Sequence, residues 1–122
     1  MSGKSLKAIR GAIQVEANSA EAIESGVKEL LPAILEANSI SREDVISVIL
    51  TCTPDLNAAF PAAFAREIGF GAVPLLCAVE MAVPGSLPLV IRVMLHAELA
   101  NSTEVSHIYL RGAAALRKDL AQ

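Results

Sequence analysis

Three arginines and one glutamate stand in segments whose apolar pattern would ordinarily exclude them: Arg10 within AIRGA, Arg92 within LVIRVML, Glu80 within LLCAVEMAV, and Arg66 in the short stretch after Pro61. Any one of them is ordinarily explained as a charge on the solvent face of a half-covered sheet. The set says more. Taking a charge out of water costs several kcal/mol unless it is paired. Were the four to converge, three guanidinium groups would face one carboxylate, and an anionic ligand would restore the balance. Arginine suits that task because its planar fork meets a carboxylate at two points and stays protonated at any working pH. Two arginines suit a dicarboxylate.

Other chemistry finds little support in the residues. There is no Gly-rich phosphate loop, no Ser/His/Asp arrangement legible from spacing and no cluster with metal-ligand spacing. His96 and His107 could each be a general base or an ordinary surface or edge-strand histidine. Cys77 precedes Glu80 by three residues without a base or cation to activate its thiol, so it reads as a contact residue. Cys52 and Cys77 form no CxxC pair, and both sit in apolar surroundings as small hydrophobes do. Tyr109 could be core or could offer its hydroxyl to a ligand, and Phe60, just before Pro61, reads as a packing residue.

The elements that must position these residues alternate between strand and helix. Lys7 to Val15 reads as a first strand, and Asn18 with Glu21 three residues later looks like a helix start. Ile23, Val27, Leu30, Leu31 and Ile34 follow the 3.6-residue spacing of one buried helical face, and Pro32 should kink that helix. Val45 to Thr53 is a β-favouring run of central-strand type. Pro61 and Gly69 bracket a short helix as first residue and left-handed stop. Ala72 to Cys77 reads as a strand that Pro74 confines to an edge. Leu89 to Ala97 and Val105 to Leu110 complete a β-α-β-α-β-β-β order. The Ala-rich tail after Gly112 is expected to be mobile.

No repeat or linker divides the 122 residues, so one domain, 1–122, is expected. Hydrophobic residues make up 53% and aromatics 3%, which leaves aliphatic side chains to fill the core. A mean hydropathy of +0.50 asks for a further surface to bury the surplus. No apolar run approaches the roughly 18 residues of a spanning helix, so an oligomer is expected rather than a membrane protein. The net charge of −3 and the lack of a basic cluster argue against nucleic acid and anionic membranes as partners. The start of the chain has no apolar leader, and a cytoplasmic location is expected.

The segments IRGA (9–12), TPDLNAAFPA (53–62), ARE (65–67), VPLLCAVEM (73–81), IRVM (91–94), IYL (108–110) and LRKDL (116–120) together resemble the AroH class of monofunctional chorismate mutases. The resemblance is collinear from Ile9 to Leu120. It implies an α+β fold: a mixed sheet of about five strands with helices on one face, assembled as a trimeric pseudo-α/β-barrel. Each active site would lie between neighbouring subunits of the homotrimer. It also implies the rearrangement of chorismate to prephenate, on the way to phenylalanine and tyrosine, with no cofactor and no metal.

Carried over by matching motif, Arg92 would reach the ether oxygen of the breaking C–O bond and a substrate carboxylate. Arg10 and Tyr109 would hold the enolpyruvyl carboxylate, and Glu80 would accept the ring hydroxyl. Cys77 would contact the same end of the ring as Glu80, while Phe60 and Ala62 would wall the pocket from the adjacent subunit. Arg66, Leu116 and Arg117 would lie near the mouth. Ala63 stands where relatives often carry Lys, and Leu76 replaces a small hydroxyl residue, so substrate capture should weaken more than the chemical step. Two other readings are an enamine/imine deaminase-like trimer, which also uses an interfacial arginine, and a non-catalytic trimer that binds an anion.

Overall fold

The computed structural model describes residues 3–117. Five strands, β1 (Lys4–Gln14), β2 (Val45–Cys52), β3 (Leu75–Val79), β4 (Val90–Ala100) and β5 (Ile108–Leu110), form one sheet in the order β3-β2-β4-β1-β5. Pairing is antiparallel for β1–β4 and β2–β4 and parallel for β1–β5 and β2–β3, so the sheet is mixed as expected. Helix α1 (Ala20–Ala37) covers one face of it. The shorter α2 (Pro61–Ala65) runs into a wide turn, Arg66–Phe70, and a 3-10 segment spans Arg111–Arg117.

The core follows from two periodicities meeting. In β1 and β4, Ile9, Ile13, Ile91, Val93 and Leu95 alternate toward α1, whose Ile23, Val27, Leu30, Leu31 and Ile34 point back at them, all buried. Glycine permits the close approach: a Cβ on Gly26 would lie 2.6 Å from Val15 Cγ1, and one on Gly11 2.7 Å from Ile34 Cδ1. Helix α1 runs 18 residues with Pro32 inside it.

Local expectations need two adjustments. The N-cap of α1 is Ser19, whose side chain accepts from the Ala22 amide at 3.1 Å. Asn18 instead ties the helix start to the loop after β2, its Oδ1 accepting from the amides of Asn57 and Ala58 at 2.9 Å each. The edge strand begins after Pro74 rather than before it; Pro74 supplies its carbonyl to the Val48 amide at 3.0 Å and needs no donor of its own. Pro61 does open α2, which ends at Ala65; Gly69, expected as its stop, lies inside the wide turn that follows, with φ of 102°.

Among the described residues the second face of the sheet carries no α-helix; only the 3-10 segment reaches it, packing Ala113 on Ala12. Leu6 (62% exposed) and Leu76 (61%) stand there with Ile49, and Met81 adds an exposed apolar side chain past β3. Among the described residues no helix is long and apolar enough to cross a membrane.

Candidate active site

The second face carries Arg10 and Arg92 because register puts them there. Paired residues on neighbouring strands point to the same side. Ala78, Thr51, Arg92, Ala12 and Tyr109 are successive partners across β3, β2, β4, β1 and β5. In the adjoining row Leu76, Ile49, Met94 and Arg10 are likewise paired. Small Ala12, between Arg92 and Tyr109, is fully buried beneath Ala113.

A cavity of about 210 Å³ opens over these rows, lined by Arg10, Gly11, Ile49, Thr51, Glu80, Arg92, Val93, Met94, Tyr109 and Leu116. Five residues anticipated from sequence therefore meet: Arg10, Glu80, Arg92, Tyr109 and Leu116. Glu80 follows the end of β3, where its amide donates to the Cys52 carbonyl at 2.9 Å. Its Oε2 accepts from Thr51 Oγ1 at 2.6 Å.

Among the described residues, neither Arg10 nor Arg92 pairs with a carboxylate; the ion pairs there are Lys28 with Glu24 and Glu67, and Arg111 with Glu29. The cavity thus presents two guanidinium groups against one carboxylate that already accepts a hydroxyl. Such an arrangement can hold an anion that also carries hydrogen-bonding oxygens.

The remaining residues distribute differently. Phe60 is 76% exposed and, with Cys52, Cys77 and Val79, lines a separate cavity of about 460 Å³. Cys77 pairs with the fully buried Leu50, packs against the core beneath the sheet and does not line the first cavity. Ala62 is almost wholly buried at the start of α2, and Arg66 is exposed at its end; neither lines the first cavity. The side chain of Arg117 lies outside the described residues. The tail expected to be mobile after Gly112 is a 3-10 segment as far as Arg117, with Ala113 fully buried.

Both histidines take supporting positions. The Arg10 backbone amide donates to His107 Nδ1 at 2.9 Å, which puts the proton of a neutral ring on Nε2. His96 sits on the uncovered face beside Ser47, 3.4 Å from Nδ1 to Oγ, and does not line the cavity. Burial pushes the Cys52 thiol up to about 11, with Cys77 adding to the rise, which makes Cys52 an inert thiol. Sequence reasoning missed Thr51. The signal was present in the strand alternation of VISVILTCT, where Thr51 is a polar residue on the side away from Leu50 and Cys52.

The family model for chorismate mutase type I matches residues 6–120. The chain belongs to that family. Chorismate mutase AroH of Thermus thermophilus is 52% identical over 117 residues, covering 94% of this chain and 96% of that protein. Chorismate mutase AroH of Bacillus subtilis (strain 168) is 41% identical over 118 residues, 95% and 93% of the two chains. A solved chorismate mutase from Clostridium thermocellum superposes with a TM-score of 0.83 at 42% identity, over 89% of this chain and 98% of that one. The chorismate mutase fold and the isomerase activity anticipated from the motifs are thereby established, in preference to the deaminase-like reading.

Proposed function

We propose that the chorismate mutase activity that comes with the family is carried out in the cavity of Arg10, Glu80 and Arg92, by conformer selection and electrostatic stabilisation alone. The rearrangement of chorismate to prephenate breaks a C–O bond as a C–C bond forms within one molecule. It needs neither a nucleophile nor a proton transfer, and therefore no cofactor. The protein can help by holding the compact diaxial conformer and by stabilising charge that separates in the transition state. Fixed guanidinium groups do both.

In this reading Arg92 donates to the ether oxygen and to a carboxylate, Arg10 and Tyr109 hold the enolpyruvyl carboxylate, and Glu80 accepts the ring hydroxyl. A rate gain of about 10⁶ requires roughly 8 kcal/mol. Charged hydrogen bonds in a pocket shielded from water, added to conformer restriction, are of that size. The observation that carries the reading is the pair of arginines without a carboxylate partner above a single engaged acid.

The proposal includes a homotrimer in which a neighbouring copy completes each site. Two features support it: an uncovered apolar face with Leu6, Ile49 and Leu76, and the division of the expected contacts between two cavities of one chain. Phe60 and Cys77, from the second cavity, would then close the pocket of the next subunit, with Arg66 near its mouth. Ala62 would shape that wall through the backbone, and Arg117 would join Leu116 at the entrance. A cytoplasmic location completes the reading and fits two free cysteines.

Loss of chorismate diene absorbance on adding purified protein tests the activity. Arg92→Ala should abolish measurable turnover, and Arg92→Lys should fare little better because one point charge cannot span two oxygens. Near-normal kcat in either variant would remove Arg92 from this role.

A further inference from the structure

Arg111 occupies a backbone conformation that a side chain disfavours, with φ of 54°. Such a residue persists where its surroundings hold it. Here its guanidinium Nη2 donates to Glu29 Oε1 at 2.6 Å and to Ser25 Oγ at 3.4 Å, both on α1. Arg111 is also the joint between two walls of the cavity: Tyr109 lies two residues before it on β5, and Leu116 five residues after it on the 3-10 segment.

The residues that follow are seated tightly. A Cβ on Gly112 would fall 1.7 Å from Gln14 Oε1, and the Gln14 amide donates to the Pro88 carbonyl at 3.0 Å. Ala113 is buried with Ala12 and Val90, the cluster against which Tyr109 and Leu116 pack. Ala12 is the register partner of Arg92. The direction in which the chain leaves β5 therefore decides where Leu116 meets the pocket, and the contact to α1 sets that direction from the opposite side of the segment.

We infer that Arg111 is a positioning residue for substrate binding, latched by Glu29 and Ser25 of α1 so that the 3-10 segment holds Leu116 across the pocket. The inference rests on reading the cavity as the chorismate site. A wall that is held in place acts on binding, so KM should carry the effect and kcat should not.

Glu29→Gln is the discriminating variant, because it leaves the strained backbone untouched. Removing a negative charge would by itself favour a dianionic substrate and lower KM. The latch predicts the opposite: KM raised about two- to fivefold, the size a partly exposed ion pair carries, with kcat within about twofold of the parent. The exchanged pair Arg111→Glu/Glu29→Arg should recover KM relative to Arg111→Glu alone. Amide hydrogen exchange at 113–116 should quicken in Glu29→Gln while the central turns of α1 stay protected. KM at or below the parent value in Glu29→Gln, or no recovery in the exchanged pair, overturns the latch. A parent protein that leaves chorismate unconsumed would overturn the substrate reading instead, and the exchange measurement, which needs no substrate, would still decide the latch.

Discussion

Thr51 Oγ1 donates to Glu80 Oε2 at 2.6 Å, across the boundary between a central strand and the residue that follows the edge strand. The bond orients the one acid that faces Arg10 and Arg92 in the cavity, and it occupies one of that acid's acceptor positions.

Thr51→Val keeps the shape and deletes the donor. Glu80 then turns more freely among rotamers, and its contact with substrate weakens. A hydrogen bond to a charged group contributes about 1.5–3 kcal/mol, and the partial exposure of this pair places it at the low end. Steady-state kinetics should show kcat/KM reduced about tenfold; an unchanged value would mean that Glu80 needs no such support.

Gly26 sits where α1 meets β1 and β4, and a Cβ there would lie 2.6 Å from Val15 Cγ1 and 3.2 Å from Ile91 Cδ1. Alanine has the better helix propensity by about 1 kcal/mol, but overpacking a tight contact costs about 1–3 kcal/mol. Packing wins. Gly26→Ala should lower Tm by roughly 3–5 °C in thermal melts at matched protein concentration.

The Cys52 thiol, raised to about 11 by burial, stays neutral in the folded protein after the unfolded chain has begun to ionise near 9. Above pH 9 the unfolded state therefore binds fewer protons than the native one, and stability falls as pH rises toward 11. The loss attributable to Cys52 is of order 2–3 kcal/mol at most. Denaturant melts from pH 8 to 11 should fall less steeply for Cys52→Val than for the parent; parallel slopes would show that the thiol does not contribute.

Leu76 projects 61% exposed from the edge strand onto the uncovered face. Leu76→Glu would place a charge in the proposed contact between copies, where an unpaired buried charge costs several kcal/mol. Light scattering should report a smaller assembly than the parent's, circular dichroism a retained fold, and the chorismate assay a loss of more than about tenfold in activity. A parent that is already monomeric and active would end the trimer proposal.

Much of this was legible one segment at a time. Arg10, Glu80 and Arg92 stood out because each interrupts an apolar run, and a strand of period two or a helix of period 3.6 makes such an interruption visible without knowledge of the fold. Pro61 marked the start of α2 through a missing donor, and Gly69 the left-handed point of the turn that follows it, both properties of the residue itself. Tertiary structure decided what depends on pairing between distant segments. Register is set by hydrogen bonds from strand to strand, and it alone aligned Thr51, Arg92, Ala12 and Tyr109 in one row and sent Cys77 to the other side of the sheet from the arginines. Ser19 rather than Asn18 became the helix cap because Asn18 had partners 39 and 40 residues away, and Arg111 gained its role from an acid 82 residues earlier in the chain. Local composition carries no record of such partners, since they exist only once the backbone has folded and brought them within reach.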